Sequence, residues 1–195
     1  MYIDISIPIN MKSAELKANA FEEAINHSIF IDQHMVFGTH LDLPNIGAEA
    51  VEFDNLIGDC LVVKIPDSAK AIELGHLLKL PLVPGGRVIF KTKNSSGWQK
   101  AGHPPDPIGI DIRAVQFLAD RKLKLVGIDG WSVDKKDSDT LTSHKLLLES
   151  GSYLLESLYL DHVAPGNYKM LVLPLMIQDA KVVPCRAILQ KEDRL

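Results

Sequence analysis

The residues whose types and spacing could support chemistry are few, and the sharpest group lies in FGTHLDLPN, residues 37–45. On an extended chain His40 and Asp42 project to the same side, because side chains alternate between faces. An imidazole and a carboxylate so placed can both reach one divalent ion at ~2.0–2.2 Å. Gly38 leaves space beside the backbone and Pro44 ends the strand. Spacing alone argues little, since 7 histidines and 25 acids in 195 residues supply about one His-x-acid pair by chance, and one is present. Glu156 is the second signal. It interrupts the apolar run Tyr153-Leu154-Leu155-Glu156-Ser157-Leu158. Burying a free charge there costs several kcal/mol, so Glu156 is either exposed at an edge or held by a partner such as a metal.

The other candidates read as ordinary. His27 and His34 flank a polar stretch, His76 sits on a helix face, His103 precedes Pro104-Pro105, and His162 follows Asp161 in a turn. His144 lies in a helix that offers Leu146, Leu147 and Leu148 to the core. Asp106, Asp111 and the acids of DKKDSD, residues 134–139, read as solvated loop charges or helix caps. Cys60 and Cys185 stand in β-rich apolar surroundings and read as packed thiols rather than nucleophiles. No G-x-G-x-x-G, Walker A, G-x-S-x-G or C-x-x-C motif occurs, and PGGRV is a turn.

The elements that must position these residues follow from periodicity. Ile3, Ile5, Ile7 and Ile9 alternate as a half-buried strand. Residues 13–26 (Ser13 to Asn26) are Ala-, Glu- and Lys-rich and predict a helix, and residues 29–42 an extended chain. Strands are predicted over 60–65, 87–92, 122–129, 153–160, 169–176 and 182–189, the last broken at Pro184. Ser68 caps a helix over AKAIELGHLLKL, in which Ile72 and His76 share a face; Ile112, Val115, Leu118 and Ala119 mark another, and residues 141–149 a third. Residues 94–107 read as loop. Gly151 stands where a left-handed helix end is wanted. The outcome is an α/β (α+β) single domain over residues 1–195 with a mixed sheet of about eight strands and four helices.

Composition narrows the function classes. Hydrophobic residues make up 46% and charged residues 24%, which excludes a disordered, collagen-like or disulfide-scaffold chain. The net charge of −4 speaks against nucleic-acid or anionic-membrane partners. The longest apolar run, Met170 to Ile177, falls far short of the ~20 residues a membrane span needs. The start MYIDISIPIN does not read as a signal peptide, and two reduced thiols point to a cytoplasmic protein.

GTHLDLP resembles the signature of the cyclase-family metal-dependent hydrolases, H-x-G-T-H-x-D-x-P-x-H, a family that includes bacterial kynurenine formamidase (arylformamidase) and isatin hydrolase. The likeness extends along most of the chain, through NLIGDCLVVKIP, GGRVIFKT with Trp98, LKLVGIDGWSVD (the VGID-x-x-S-x-D segment), SHKLLLESGSYLLESLYLDHVAPGNYKMLVLPL and PCRAIL. It implies a swivelling β/β/α-type fold and a divalent metal site, zinc first, manganese or magnesium next. The metal ligands it implies are His40, Asp42, His144 and Glu156, with Asp42 or Glu156 taking a proton from water during catalysis. It also implies a small-molecule substrate and a homo-oligomer, a dimer first. Two signature histidines are replaced, the metal-binding one by Val36 and the acid/base one by Ile46. His34 cannot substitute without a bulge, because six residues of extended chain span about 20 Å. The W-P-G stretch of relatives is replaced by the run Ser13 to Asn26, which has no tryptophan. The resemblance thus implies a metal-dependent amidohydrolase of the arylformamidase kind, acting on N-formylkynurenine in tryptophan catabolism. The alternative is a catalytically impaired homologue that binds a metal or small molecule.

Overall fold

Strands that are apolar on both faces need cover on both faces, and four consecutive strands of this chain have that character. The computed structural model describes residues 1–7, 38–44, 47–97, 106–136 and 141–191. The expected helix at 13–26, Val36, Ile46, His27, His34, Trp98 and His103 lie outside them. In chain order the elements are β1 (Tyr2–Asp4), β2 (His40–Asp42), α1 (Phe53–Leu56), β3 (Ile57–Lys64), α2 (Leu74–Leu77), β4 (Arg87–Lys91), α3 (Ile112–Asp120), β5 (Leu125–Ile128), α4 (Thr142–Glu149), β6 (Tyr153–Glu156), β7 (Gly166–Pro174) and β8 (Val182–Gln190).

β3, β4, β5 and β6 lie side by side and parallel, so each is joined to the next by a crossover. The crossovers carry α2, α3 and α4 in turn. The antiparallel strands complete a ring: β7 pairs with β3, β8 with β7, β2 with β8, and β6 with β2. β1 lies against the far end of β8. The mixed sheet therefore closes on itself, which removes the unpaired edges that an open sheet would present.

Alternation along the strands divides the apolar residues between two cores. Leu41, Val62, Ile89, Leu125, Tyr153, Leu155 and Val183 fill the interior of the closed sheet. Val63, Val88, Phe90, Val126 and Leu154, one residue out of phase, pack against Val115 and Leu118 of α3 and Leu147 of α4. α3 shows the expected spacing, and the Asp111 side chain caps it by accepting the Arg113 N–H at 3.1 Å.

The local periods mislead at three places. Only Leu74–Leu77 of the segment after Ser68 is helical. Ile72 instead donates its N–H to the Gly109 carbonyl and accepts from the Asp111 N–H, and this bridge takes the backbone groups a longer helix would use. The strand at Tyr153 ends at Glu156, because Ser157 adopts a left-handed backbone (φ 57°) and donates its N–H to Gly130. Pro184 does not break β8. It has no N–H to donate, but its carbonyl accepts the Leu175 N–H, and the strand passes from β2 to β1 beyond it.

Gly127 of β5 leaves room for a neighbour: a Cβ there would stand 2.8 Å from Ile89 Cγ1. Gly127→Ala is expected to destabilise the fold by about 1–3 kcal/mol through overpacking, read as a lowered urea midpoint. A variant as stable as the wild type would show that β4 and β5 yield at this point. Among the described residues no helix is long and apolar enough to cross a membrane.

Candidate metal centre

β2 and β6 run antiparallel with His40 directly opposite Glu156 and Asp42 opposite Leu154. His40 and Asp42 share one face of β2, and Glu156 shares a face of β6 with Leu154, which packs toward the helices. All three side chains thus stand on the outer, helix-covered face of the closed sheet. α4 brings His144 down onto the same spot.

The resulting cluster is tight. His40 Nε2 lies 3.1 Å from Glu156 Oε2 and 4.0 Å from Asp42 Oδ1. His144 Nε2 lies 2.9 Å from Asp42 Oδ2 and 3.2 Å from Glu156 Oε1. Glu156 is 1% exposed, His40 4% and Asp42 6%, so the edge-exposed alternative for Glu156 does not hold. Its charge is partnered by both imidazoles and by the Val133 N–H, which donates to Oε1 at 2.7 Å.

The hydrogen bonds on the far side of each imidazole decide what the cluster can hold. The Nδ1–H of His40 donates to the Gly38 carbonyl at 3.1 Å, and that of His144 donates to Asp134 Oδ2 at 2.5 Å. With Nδ1 protonated in both rings, each neutral imidazole turns an Nε2 lone pair toward carboxylate oxygens, which are also acceptors. Only positive charge between them, protons or a metal ion, resolves that opposition. Ligand histidines characteristically carry this outer bond to a carbonyl or carboxylate. Among the described residues Asp42 Oδ1 is buried without a hydrogen-bond partner, and ligand atoms of His40, Asp42 and Glu156 lie within 4.8 Å of one another. The donor set of two imidazoles and two carboxylates therefore fits a divalent cation.

Burial opposes the charged form of His144, but Glu156 and Asp42 outweigh it and hold the imidazole up at about 11. His40 is also raised: burial acts against it, and the hydrogen bond and charge of Glu156 prevail. Burial pushes Asp42 up against the opposing bond from His144. For Glu156 burial is overcome by the charge and hydrogen bond of His144, and the carboxyl is held down at about 2. Both cysteines are free, and burial pushes each thiol up to about 12.

Two supporting residues escape a reading of local pattern. Asp134, one of the acids read as solvated loop charges or helix caps, caps the first turn of α4, and it is also buried and bonded to the His144 ring. Its place in the VGID-x-x-S-x-D segment is the one signal that singles it out. Thr39 fastens β2 at the site: its hydroxyl donates to the Ser157 carbonyl at 2.6 Å and accepts the Ile7 N–H at 2.7 Å. The remaining described histidines stand away from the cluster, His76 bonding within its own short helix and His162 reaching the Asp4 carbonyl.

A closed mixed sheet that brings a buried and a part-buried histidine onto two buried carboxylates has the equipment of a metal-dependent enzyme. Comparison with known proteins agrees. The family model Cyclase, described as "Putative cyclase", matches residues 3–135. Kynurenine formamidase of Salinibacter ruber is 34% identical over 182 residues, covering 89% of this chain and 84% of that protein. Kynurenine formamidase of Erythrobacter litoralis is 35% identical over 163 residues, 79% of this chain and 72% of that protein. A solved structure described as a potential metal-dependent hydrolase with cyclase activity superposes with a TM-score of 0.81 at 26% identity, covering 99% of both chains. Isatin hydrolase A from Labrenzia aggregata shares the fold with a TM-score of 0.74 at 18% identity, covering 97% of this chain and 93% of that one. The chain belongs to the cyclase family and is a hydrolase.

Proposed function

We propose that this protein is a divalent-metal-dependent amidohydrolase of the arylformamidase kind, with N-formylkynurenine or a related small aryl formamide as substrate. The observation that carries this reading is the convergence of two outward-bonded histidines on two buried carboxylates, one with an unpartnered oxygen. The relatives named kynurenine formamidase supply the substrate class. His40, Asp42, His144 and Glu156 would hold the ion, zinc first by resemblance, with manganese or magnesium also suited to two carboxylates. Such an ion supplies Lewis-acid polarisation of the amide carbonyl and acidifies the attacking water. Glu156 has both oxygens engaged and is held down at about 2, which makes it a poor base and a firm anchor. Asp42, raised by burial and with Oδ1 free of hydrogen bonds, is the better acceptor for the water's proton. The same reading takes the protein as cytoplasmic and homodimeric. Two free thiols support the first, and the exposed Leu173, Leu175 and Met176 at the end of β7 support the second.

A second reading, a metal- or small-molecule-binding homologue with impaired catalysis, is favoured by Val36 and Ile46 in the signature's histidine positions. Elemental analysis of the purified protein, followed by an amide, lactam and lactone screen with metal supplied, separates the two. Bound metal with formamide turnover is expected. Bound metal without turnover of any substrate selects the second reading, and absence of metal affinity removes both in their metal-bound form.

A further inference from the structure

α4 begins without a cap of its own. Leu141 occupies the cap position in a left-handed backbone (φ 47°), and no side-chain hydrogen bond from it closes the first turn. The bond comes instead from Asp134, in the loop that precedes the helix. Its Oδ1 accepts the Ser143 N–H at 2.8 Å and its Oδ2 accepts the His144 N–H at 3.3 Å. That same Oδ2 takes the His144 Nδ1–H at 2.5 Å. The backbone at Asp134 is held as well, its N–H donating to the Ser132 hydroxyl at 2.9 Å.

We infer that Asp134 is the positioning residue of the metal centre, setting where α4 starts and fixing His144 with its Nε2 lone pair toward the ion. The inference rests on the metal-centre reading above and concerns a residue outside the proposed ligand set. A cap at an ordinary helix start needs only an acceptor, and Ser, Thr or Asn would serve equally. His144 asks for more. A carboxylate accepts on both oxygens, whereas an amide presents one acceptor and one donor. Only the carboxylate can accept the Ser143 N–H on one side and the His144 Nδ1–H on the other at once, because an amide puts a donor on one of the two sides. Because ring and cap share one oxygen, a displacement of the first turn of α4 moves the ligand nitrogen with it.

Asp134→Asn separates the two duties. Its amide oxygen can still take the Ser143 N–H, but the NH2 group then faces His144 Nδ1 and cannot accept from it. The ring turns over to the tautomer with a proton on Nε2, which has no lone pair for an ion. The experiment measures dissociation constants for Co2+ and Zn2+ by chelator competition, together with the Tm of the metal-free proteins. It also records the 15N shifts of the His144 ring in the zinc-loaded wild type. The expected result is a dissociation constant raised about 10–100-fold in Asp134→Asn, an apo Tm close to that of the wild type, and a wild-type His144 protonated on Nδ1 and ligated through Nε2. A variant with wild-type affinity and a lowered Tm makes Asp134 a helix cap alone and overturns the inference. So does a wild-type His144 ligated through Nδ1, a measurement that does not depend on the variant folding. A wild-type protein that binds no divalent ion removes the metal-centre reading and this inference with it, whereas unchanged affinity in the variant removes only the inference.

Discussion

Glu156→Gln is expected to strip the protein of bound divalent metal and to lower kcat/KM on an aryl formamide by about 10³-fold or more, the scale of losing metal-assisted and acid–base catalysis together. Gln has nearly the shape of Glu, and its amide oxygen can keep the Val133 N–H that now bonds Oε1 at 2.7 Å. The backbone at the end of β6 therefore has no reason to move. What changes is the centre of the cluster. Glu156 lies 3.1 Å from His40 and 3.2 Å from His144, whereas Asp42 approaches His40 only to 4.0 Å, so removing the charge of Glu156 leaves the two imidazoles facing Asp42 alone. Elemental analysis and circular dichroism on the same preparation check the result. Stoichiometric metal and wild-type turnover in a folded Glu156→Gln protein would falsify the assignment of this cluster as the catalytic metal centre.

Restoring the two histidines that the resemblance implies is expected to work in the opposite direction. The double change Val36→His with Ile46→His supplies a further nitrogen ligand and an acid/base group on either side of the His40–Asp42 pair. Both positions lie outside the described residues, and the expectation rests on their place in the signature. Acid–base assistance alone is worth ~10²–10⁴-fold, so kcat/KM on an aryl formamide, with metal saturated, should rise by well over about tenfold. The two changes act on one ion and one water, and their effects should be strongly non-additive. Wild type, both single variants and the double variant form the necessary set. A folded, metal-loaded double variant that gains less than about tenfold would show that the chain has changed substrate, with the run Ser13 to Asn26 as the segment responsible.

Much of the site was legible because its signals are local anomalies. His40 and Asp42 reach one side of β2 through the two-residue period of any strand, and Glu156 stands out as a charge inside an apolar run. α3 was equally readable, since Ile112, Val115, Leu118 and Ala119 repeat at helical spacing, and all but the exposed Ile112 pack into the core. Where the local period misled, a non-local bond had prevailed. Ile72 left its helical pattern to pair with Ile110, and Ser157 ended a run of apolar residues by turning to Gly130.

The residue types and their spacing determined that a strand carries an imidazole and a carboxylate on one face, that four strands need cover on both sides, and that a buried glutamate must have a partner. Tertiary structure alone decided who that partner is. His40 meets Glu156 across 116 positions of chain because β2 inserts between β8 and β6 as the sheet closes. Of the two readings open to Asp134, a loop charge or a helix cap, the fold selects the cap and adds a bond to the His144 ring, because its carboxylate lies at the start of α4. Neither pairing leaves a trace in local periodicity. Alternation and helical spacing report only which face of an element is covered, whereas the choice of neighbour follows from burying all those faces together in one closed sheet.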